Sequence, residues 1–120
     1  VTNKPGWLTQ PLLKALGLWC RASCVLSGDS LEVRKPHPLP LLEAARRSGV
    51  DPTQCIYVGD AERDIAAGRA AGMLTLVARY GYFGADEPIA DWRADGAIDS
   101  LAEVAPWVDD WSRARSRDAR

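Results

Sequence analysis

Apolar residues recur along this chain in two rhythms, one helical and one too dense for a single helix face. Leu12, Leu13 and Leu16 form a stripe that stops at Gly17. With Thr9 as a capping hydroxyl and Pro11 tolerated in the first turn, they predict a short amphipathic helix. Leu41, Leu42 and Ala45 make a second such face, approached through Pro36, Pro38 and Pro40 and closed by Ser48-Gly49. A third helix, rich in small residues from Ile65 to Ala71 and ended by Gly72, can pack close to a sheet. Runs that are apolar on both faces read instead as buried strands: Cys24 to Leu26, Cys55 to Val58, Leu74 to Val77 and a last short one at Ala97-Ile98. The opening Val1 to Pro5 reads as the end of a further strand. A long loop from Arg79 to about Asp95 follows the Leu74 strand. Leu101, Val104, Ala105 and Val108 predict a weak terminal helix that Pro106 ends early, with Trp107 and Trp111 as packing residues. Strands alternating with helices define an α/β fold with a mainly parallel sheet.

The junction Val58-Gly59-Asp60-Ala61-Glu62-Arg63-Asp64 carries the chemistry. Gly59 is expected to let the backbone turn sharply, which leaves Asp60 at the carboxyl end of a strand, the edge where open α/β sheets bind ligands. Two carboxylates there suit a hard cation such as Mg²⁺. The same residues also suit a helix start, with Asp60 as cap and Asp64 in the first turn. Glu62 and Arg63 read as the exposed beginning of that helix. Gly-x-Gly-x-x-Gly, a Walker-type loop and a serine nucleophile elbow are all missing from the sequence, which removes the dinucleotide, P-loop and serine-hydrolase readings.

Composition narrows the class. The 120 residues, 47% hydrophobic and 26% charged, are an ordinary mixture for one globular domain. No apolar run approaches the roughly 20 residues of a membrane span, and no leader resembles a signal peptide, so the cytoplasm is the expected compartment. Cys20, Cys24 and Cys55 match no zinc spacing and are expected as reduced, mostly buried thiols. The net charge is −1, yet Ser112 to Arg120 holds four Arg against one Asp. That tail is expected to be disordered, and nine residues are too narrow a basic surface for nucleic acid. No membrane role is expected.

Val1-Thr2-Asn3-Lys4-Pro5, Lys35-Pro36-His37-Pro38 and Val58 to Asp64, in this order and this strand-helix context, resemble the haloacid dehalogenase superfamily of phosphatases. The likeness is closer to its phosphoglycolate phosphatase group, with Tyr80-Gly81-Tyr82 and Asp95-Gly96-Ala97-Ile98-Asp99 in support, and it extends from Val1 to Val108. The resemblance implies a phosphate site in which Thr2, Asn3 and nearby amides hold phosphoryl oxygens. Lys35 would neutralise phosphate and nucleophile charge in the catalytic machinery. Asp60 would bind Mg²⁺ directly, and Asp64 would ligate it or orient its waters. Outside that resemblance, Thr2 is an ordinary strand-end hydroxyl, Lys35 a solvated loop cation, and His37 a rigid loop residue between two prolines.

The family's attacking aspartate, normally in an Asp-x-Asp pair before the Thr-Asn motif, has no counterpart here. No Asp or Glu occurs among the first 28 residues, and no Asp-x-Asp occurs in the chain. The sequence therefore reads as the carboxyl-terminal part of a Mg²⁺-dependent phosphatase core over residues 1–111, followed by the basic tail 112–120. The central nucleophile strand and the cap domain would lie elsewhere, and the chain alone is expected to be inactive. The resemblance implies a small phosphorylated metabolite as partner. 2-Phosphoglycolate is the leading substrate, N-acetylmuramic acid 6-phosphate the alternative, and a non-catalytic phosphate-binding module the reading of another class.

Overall fold

The computed structural model describes residues 1–81 and 88–118. Four α-helices, α1 (Gly6–Ala15), α2 (Leu39–Ser48), α3 (Glu62–Ala70) and α4 (Val104–Asp118), accompany three strands, β1 (Ile56–Gly59), β2 (Leu74–Ala78) and β3 (Gly96–Ile98). The strands form one parallel sheet in the order β1-β2-β3, with Val58 beside Leu76 and Ala78 beside Ile98. All three carboxyl ends consequently share one edge. The expected α/β class with a mainly parallel sheet is what forms.

The core lies against the sheet and α3. Leu41, Ala45, Ala67, Ala71 and Met73 pack together with Tyr57, and Ile65, Val77 and Trp92 make a second cluster. Each fully buried Leu or Ile stabilises such a core by about 1.5–3 kcal/mol. Gly68 permits the close approach of α3, because a methyl group there would run into Thr75. Trp107 of α4 closes over Gly96 in the same way.

Several local expectations are corrected. Helix α1 starts at Gly6, not at Thr9; the Gly6 amide donates to Asp29 Oδ1 at 2.9 Å, while Thr9 turns inward and its hydroxyl donates to the Pro5 carbonyl at 3.0 Å. Pro11 therefore sits inside the helix. Leu12 and Leu16 remain 46% and 60% exposed, so the α1 stripe is only weakly covered. Cys24 to Leu26 forms no strand, since no neighbour offers it a ladder beyond the Thr2 amide donating to the Leu26 carbonyl. Val1 to Pro5 is likewise not a strand.

The terminal helix does not stop at Pro106. That residue stands in the first turn of α4, where a missing N–H costs little, and the helix continues through most of the basic segment to Asp118. The three cysteines carry no disulfide, but Cys20 is exposed and the other two only partly covered. Within the long loop, a short 3₁₀ turn at Ile89–Trp92 drives Trp92 into the core. Among the described residues, no helix is long and apolar enough to cross a membrane.

Candidate active site

The site is built where three segments meet beside β1. Asn3 clamps the loop ahead of α2: its side-chain Nδ2 donates to the Lys35 carbonyl at 3.1 Å, and the Lys35 amide donates to Asn3 Oδ1 at 3.2 Å. With its backbone fixed at both ends, Lys35 sends a buried side chain under the sheet edge. Its ammonium donates to Asp64 Oδ1 at 2.5 Å, to the Tyr57 hydroxyl at 2.9 Å and to the Val1 carbonyl at 3.3 Å. Three donors thus meet three acceptors, which is what a buried ammonium requires.

Asp64 uses its other oxygen differently. Oδ2 accepts the amides of Asp60 and Ala61, both at 3.1 Å, so the carboxylate ties down the turn that presents Asp60 while it neutralises Lys35. This is the reach-back half of a capping box, with a negative charge in the first turn of α3. Gly59 was expected to provide a sharp turn. It is needed instead for proximity, because a Cβ there would collide with the Asp64 side chain. Gly81 makes the equivalent room beside Asp60. Tyr82, the third member of that motif, lies outside the described residues.

These groups line a cleft of about 570 Å³ at the carboxyl edge of the sheet, with Thr2, Lys4, Lys35, Asp60, Arg63 and Asp64 on its walls. All five residues singled out in the sequence, Thr2, Asn3, Lys35, Asp60 and Asp64, meet there. Thr2 Oγ1 accepts the Lys4 amide at 3.1 Å, which fixes the hydroxyl at the wall. Asn3 is engaged through its side chain in holding Lys35. His37 is exposed, and its Nδ1 accepts the Leu39 amide at the start of α2, a local cap away from the cleft. Among the described residues, no three His, Cys, Asp or Glu side chains come together as a metal cage.

Sequence reasoning missed two things: the pairing of Lys35 with Asp64, and the part played by Tyr57. The one available signal was a hydroxyl-bearing Tyr in an otherwise aliphatic run, three residues ahead of Asp60.

Burial is the strongest influence on Lys35 and opposes its charge, but the hydrogen bonds to Asp64 and Tyr57 outweigh it and hold the ammonium above its ordinary value of 10.5. Burial pushes the Tyr57 phenol above 10.0, and burial likewise raises the Cys55 thiol above 9.0. All three groups keep their protons longer in the folded chain than in the unfolded one. Wherever the folded state binds more protons, stability falls as pH rises. The urea midpoint is therefore expected to decline from about pH 9 upward, with Lys35 contributing fully below its ordinary value and losing that contribution as pH passes through its raised one. Circular dichroism at pH 8, 9.5 and 11 checks this, and a midpoint that rises with alkalinity would contradict it.

A cleft that joins a hydroxyl, an ammonium and two carboxylates at a sheet's carboxyl edge is suited to a tetrahedral oxyanion and its counter-cation. Residues 1–72 match the family described as hydrolase, haloacid dehalogenase-like hydrolase, and the chain belongs to that family. Within it the likeness is to phosphoglycolate phosphatases. The chain is 52% identical over 111 residues to phosphoglycolate phosphatase of Xanthomonas campestris pv. campestris (strain 8004), covering 89% of this chain and 50% of that protein. It is 38% identical over 109 residues to N-acetylmuramic acid 6-phosphate phosphatase of Pseudomonas aeruginosa, covering 91% and 48%. The crystal structure of a predicted phosphoglycolate phosphatase from Haemophilus somnus 129PT superposes with a TM-score of 0.81 at 36% identity, over 90% of this chain and 48% of that one. The chain spans about half the length of the curated relatives it matches.

Proposed function

We propose that this chain supplies the phosphate-binding and Mg²⁺-binding half of a phosphomonoester hydrolase, with 2-phosphoglycolate as its first candidate substrate. The observation that carries the reading is the convergence of Thr2, Lys35, Asp60 and Asp64 on one cleft, with Asn3 and Tyr57 holding Lys35 in place. Lys35 takes a phosphoryl oxygen by giving up its longest contact, the Val1 carbonyl at 3.3 Å, and Thr2 donates its hydroxyl to another. Substrate identity follows the 52% relative; the sugar phosphate named for the Pseudomonas protein is the second candidate.

The residues fit a Mg²⁺ ion in part. Mg²⁺ commonly takes one or two carboxylates and leaves its remaining positions to water and substrate phosphate. Asp60 is the direct ligand in this reading. Asp64, with Oδ1 on Lys35 and Oδ2 on two amides, acts behind it as the orienting group. Bound there, the ion would supply charge neutralisation at the phosphate. The sequence has no Asp-x-Asp pair, so the attacking carboxylate of an aspartyl-phosphate mechanism comes from outside these 120 residues.

Joining the amino-terminal half of the Xanthomonas relative to Val1 tests the reading. The fusion is expected to hydrolyse 2-phosphoglycolate in the presence of Mg²⁺ and to stop with EDTA, while the 120-residue chain alone shows no turnover. Enzyme-like turnover by the chain alone would overturn the division of roles, and EDTA-insensitive activity would overturn the metal. A preference for N-acetylmuramic acid 6-phosphate in the same panel would reassign the substrate.

A further inference from the structure

The segment that carries Thr2 and Asn3 is tied down from behind. The Thr2 amide donates to the Leu26 carbonyl at 3.0 Å, and the Gly28 amide donates to the Lys4 carbonyl at 2.8 Å. The buried Thr9 hydroxyl donates to the same Lys4 carbonyl at 3.2 Å, and the Gly6 amide donates to Asp29 Oδ1 at 2.9 Å. Leu26, Gly28, Thr9 and Asp29 all stand outside the cleft wall. Gly28 also lies so close that a methyl group on it would collide with the Asn3 backbone carbonyl, which cannot swing aside as a side chain would.

Lys4 is the hub of these contacts. Its carbonyl is held by Gly28 and Thr9, and its amide donates to Thr2 Oγ1 at 3.1 Å. A hydroxyl that accepts from an amide keeps its own proton for another acceptor. The orientation of the Lys4 peptide thus sets which way Thr2 can donate. Helix α1 cannot supply that orientation by packing, because Leu12 and Leu16 on its apolar stripe are exposed. Nor does Pro5, the residue at its cap position, offer a side-chain hydrogen bond. The start of α1 is fixed instead by Asp29, across 23 positions of sequence.

We infer that the Gly28-Asp29 turn is the positioning device for Thr2, with Asp29 the positioning side chain: it anchors Gly6, Gly28 anchors Lys4, and the Lys4 amide then leaves the Thr2 hydroxyl free to donate to a phosphoryl oxygen. Lys35 keeps Asp64 and Tyr57 if the segment loosens, so the slack is felt at Thr2. This inference rests on the phosphatase reading of the cleft.

A double-mutant cycle between Asp29 and Thr2 tests it in the fusion described above, with folding of each variant checked by circular dichroism. Thr2→Val is expected to lower kcat by about 10²–10³, as loss of one preorganised donor does. Asp29→Ala is expected to lower it about tenfold, the effect of a small misplacement transmitted from outside the chemistry. In a Thr2→Val background, Asp29→Ala is expected to cost less than about twofold, because the two residues act as one unit. Asp29→Asn, which keeps an oxygen for the Gly6 amide, is expected to restore kcat. Asp51→Ala removes a comparable cap, that of the Thr53 amide, from a turn away from the cleft and is expected to leave kcat unchanged. An Asp29→Ala loss that multiplies fully with that of Thr2→Val, one matched by Asp51→Ala or not relieved in Asp29→Asn, or no loss at all would each overturn the assignment and leave the phosphatase reading standing. A fusion inactive toward every phosphomonoester would overturn that reading, and the inference with it.

Discussion

Asp64→Ala is expected to cost this chain about 3–5 kcal/mol of unfolding free energy, the range seen when one partner of a buried ion pair is removed. Both side chains of the pair are only 7% exposed, so solvent replaces little of the carboxylate that the Lys35 ammonium would lose. It would retain the Tyr57 hydroxyl and the Val1 carbonyl, neither of which carries charge. The amides of Asp60 and Ala61 would lose their acceptor in the same step. Domains of this kind are stable by only about 5–15 kcal/mol in total, so the loss is a large fraction of the whole. Lys35→Met is expected to cost less, because Asp64 would keep two backbone donors and hydrogen bonds to a charged group are worth about 1.5–3 kcal/mol. Combining Asp64→Asn with Lys35→Met should recover part of the loss, since a neutral, well-packed replacement removes the stranded charge. Urea unfolding at pH 7 followed by circular dichroism reads all four chains. A loss below about 1 kcal/mol for Asp64→Ala would mean that the pair is hydrated and that burial is not what couples the two residues.

Much of this arrangement was legible in the sequence, for reasons that differ by element. Strands β1 and β2 announce themselves because a strand covered on both sides must be apolar at successive positions, and helix α2 because prolines and Gly49 punctuate it. The cleft was legible as a set of residues in two ways: Asp60 and Asp64 stood at the carboxyl end of a predicted strand, whereas Thr2 and Lys35 were singled out only by the resemblance of their motifs to the family. What could not be read was the traffic between them. Whether Lys35 faces solvent or Asp64 depends on a contact across 29 positions, and no local pattern encodes it. Gly59 illustrates the same limit: a glycine after a strand suggests a turn, whereas the controlling fact is the nearness of a side chain five residues later. The apparent strand at Cys24 to Leu26 failed for the opposite reason, because apolar character is local but a ladder needs a neighbour. Similarly, the outer side of β1 has no paired strand among the described residues.

In the fusion carrying the attacking carboxylate, Lys35→Met is expected to lower kcat by about 10²–10³, the loss that follows removal of one preorganised charge donor from a phosphoryl or acyl transfer site. The effect belongs to kcat more than to KM if the ammonium strengthens its hold as charge moves onto the phosphoryl oxygens and the leaving group. Asp64 would then set the ammonium's position without touching substrate, and Asn3 would fix the loop that delivers it. Lys35→Arg is not expected to restore activity. The guanidinium is broader than an ammonium and donates from a planar fork, whereas the buried space between Asp64, Tyr57 and Val1 fits three donors diverging from one nitrogen. Asn3→Ala provides the discriminating comparison, because it leaves the ammonium and its ion pair intact while releasing both backbone hydrogen bonds of residue 35. A smaller fall in kcat than for Lys35→Met, with little change in KM, is the expected result. If Lys35→Met raised KM alone and left kcat untouched, the ammonium would bind substrate and transition state equally, and its place in the chemistry would pass to the Mg²⁺ that we propose Asp60 to bind.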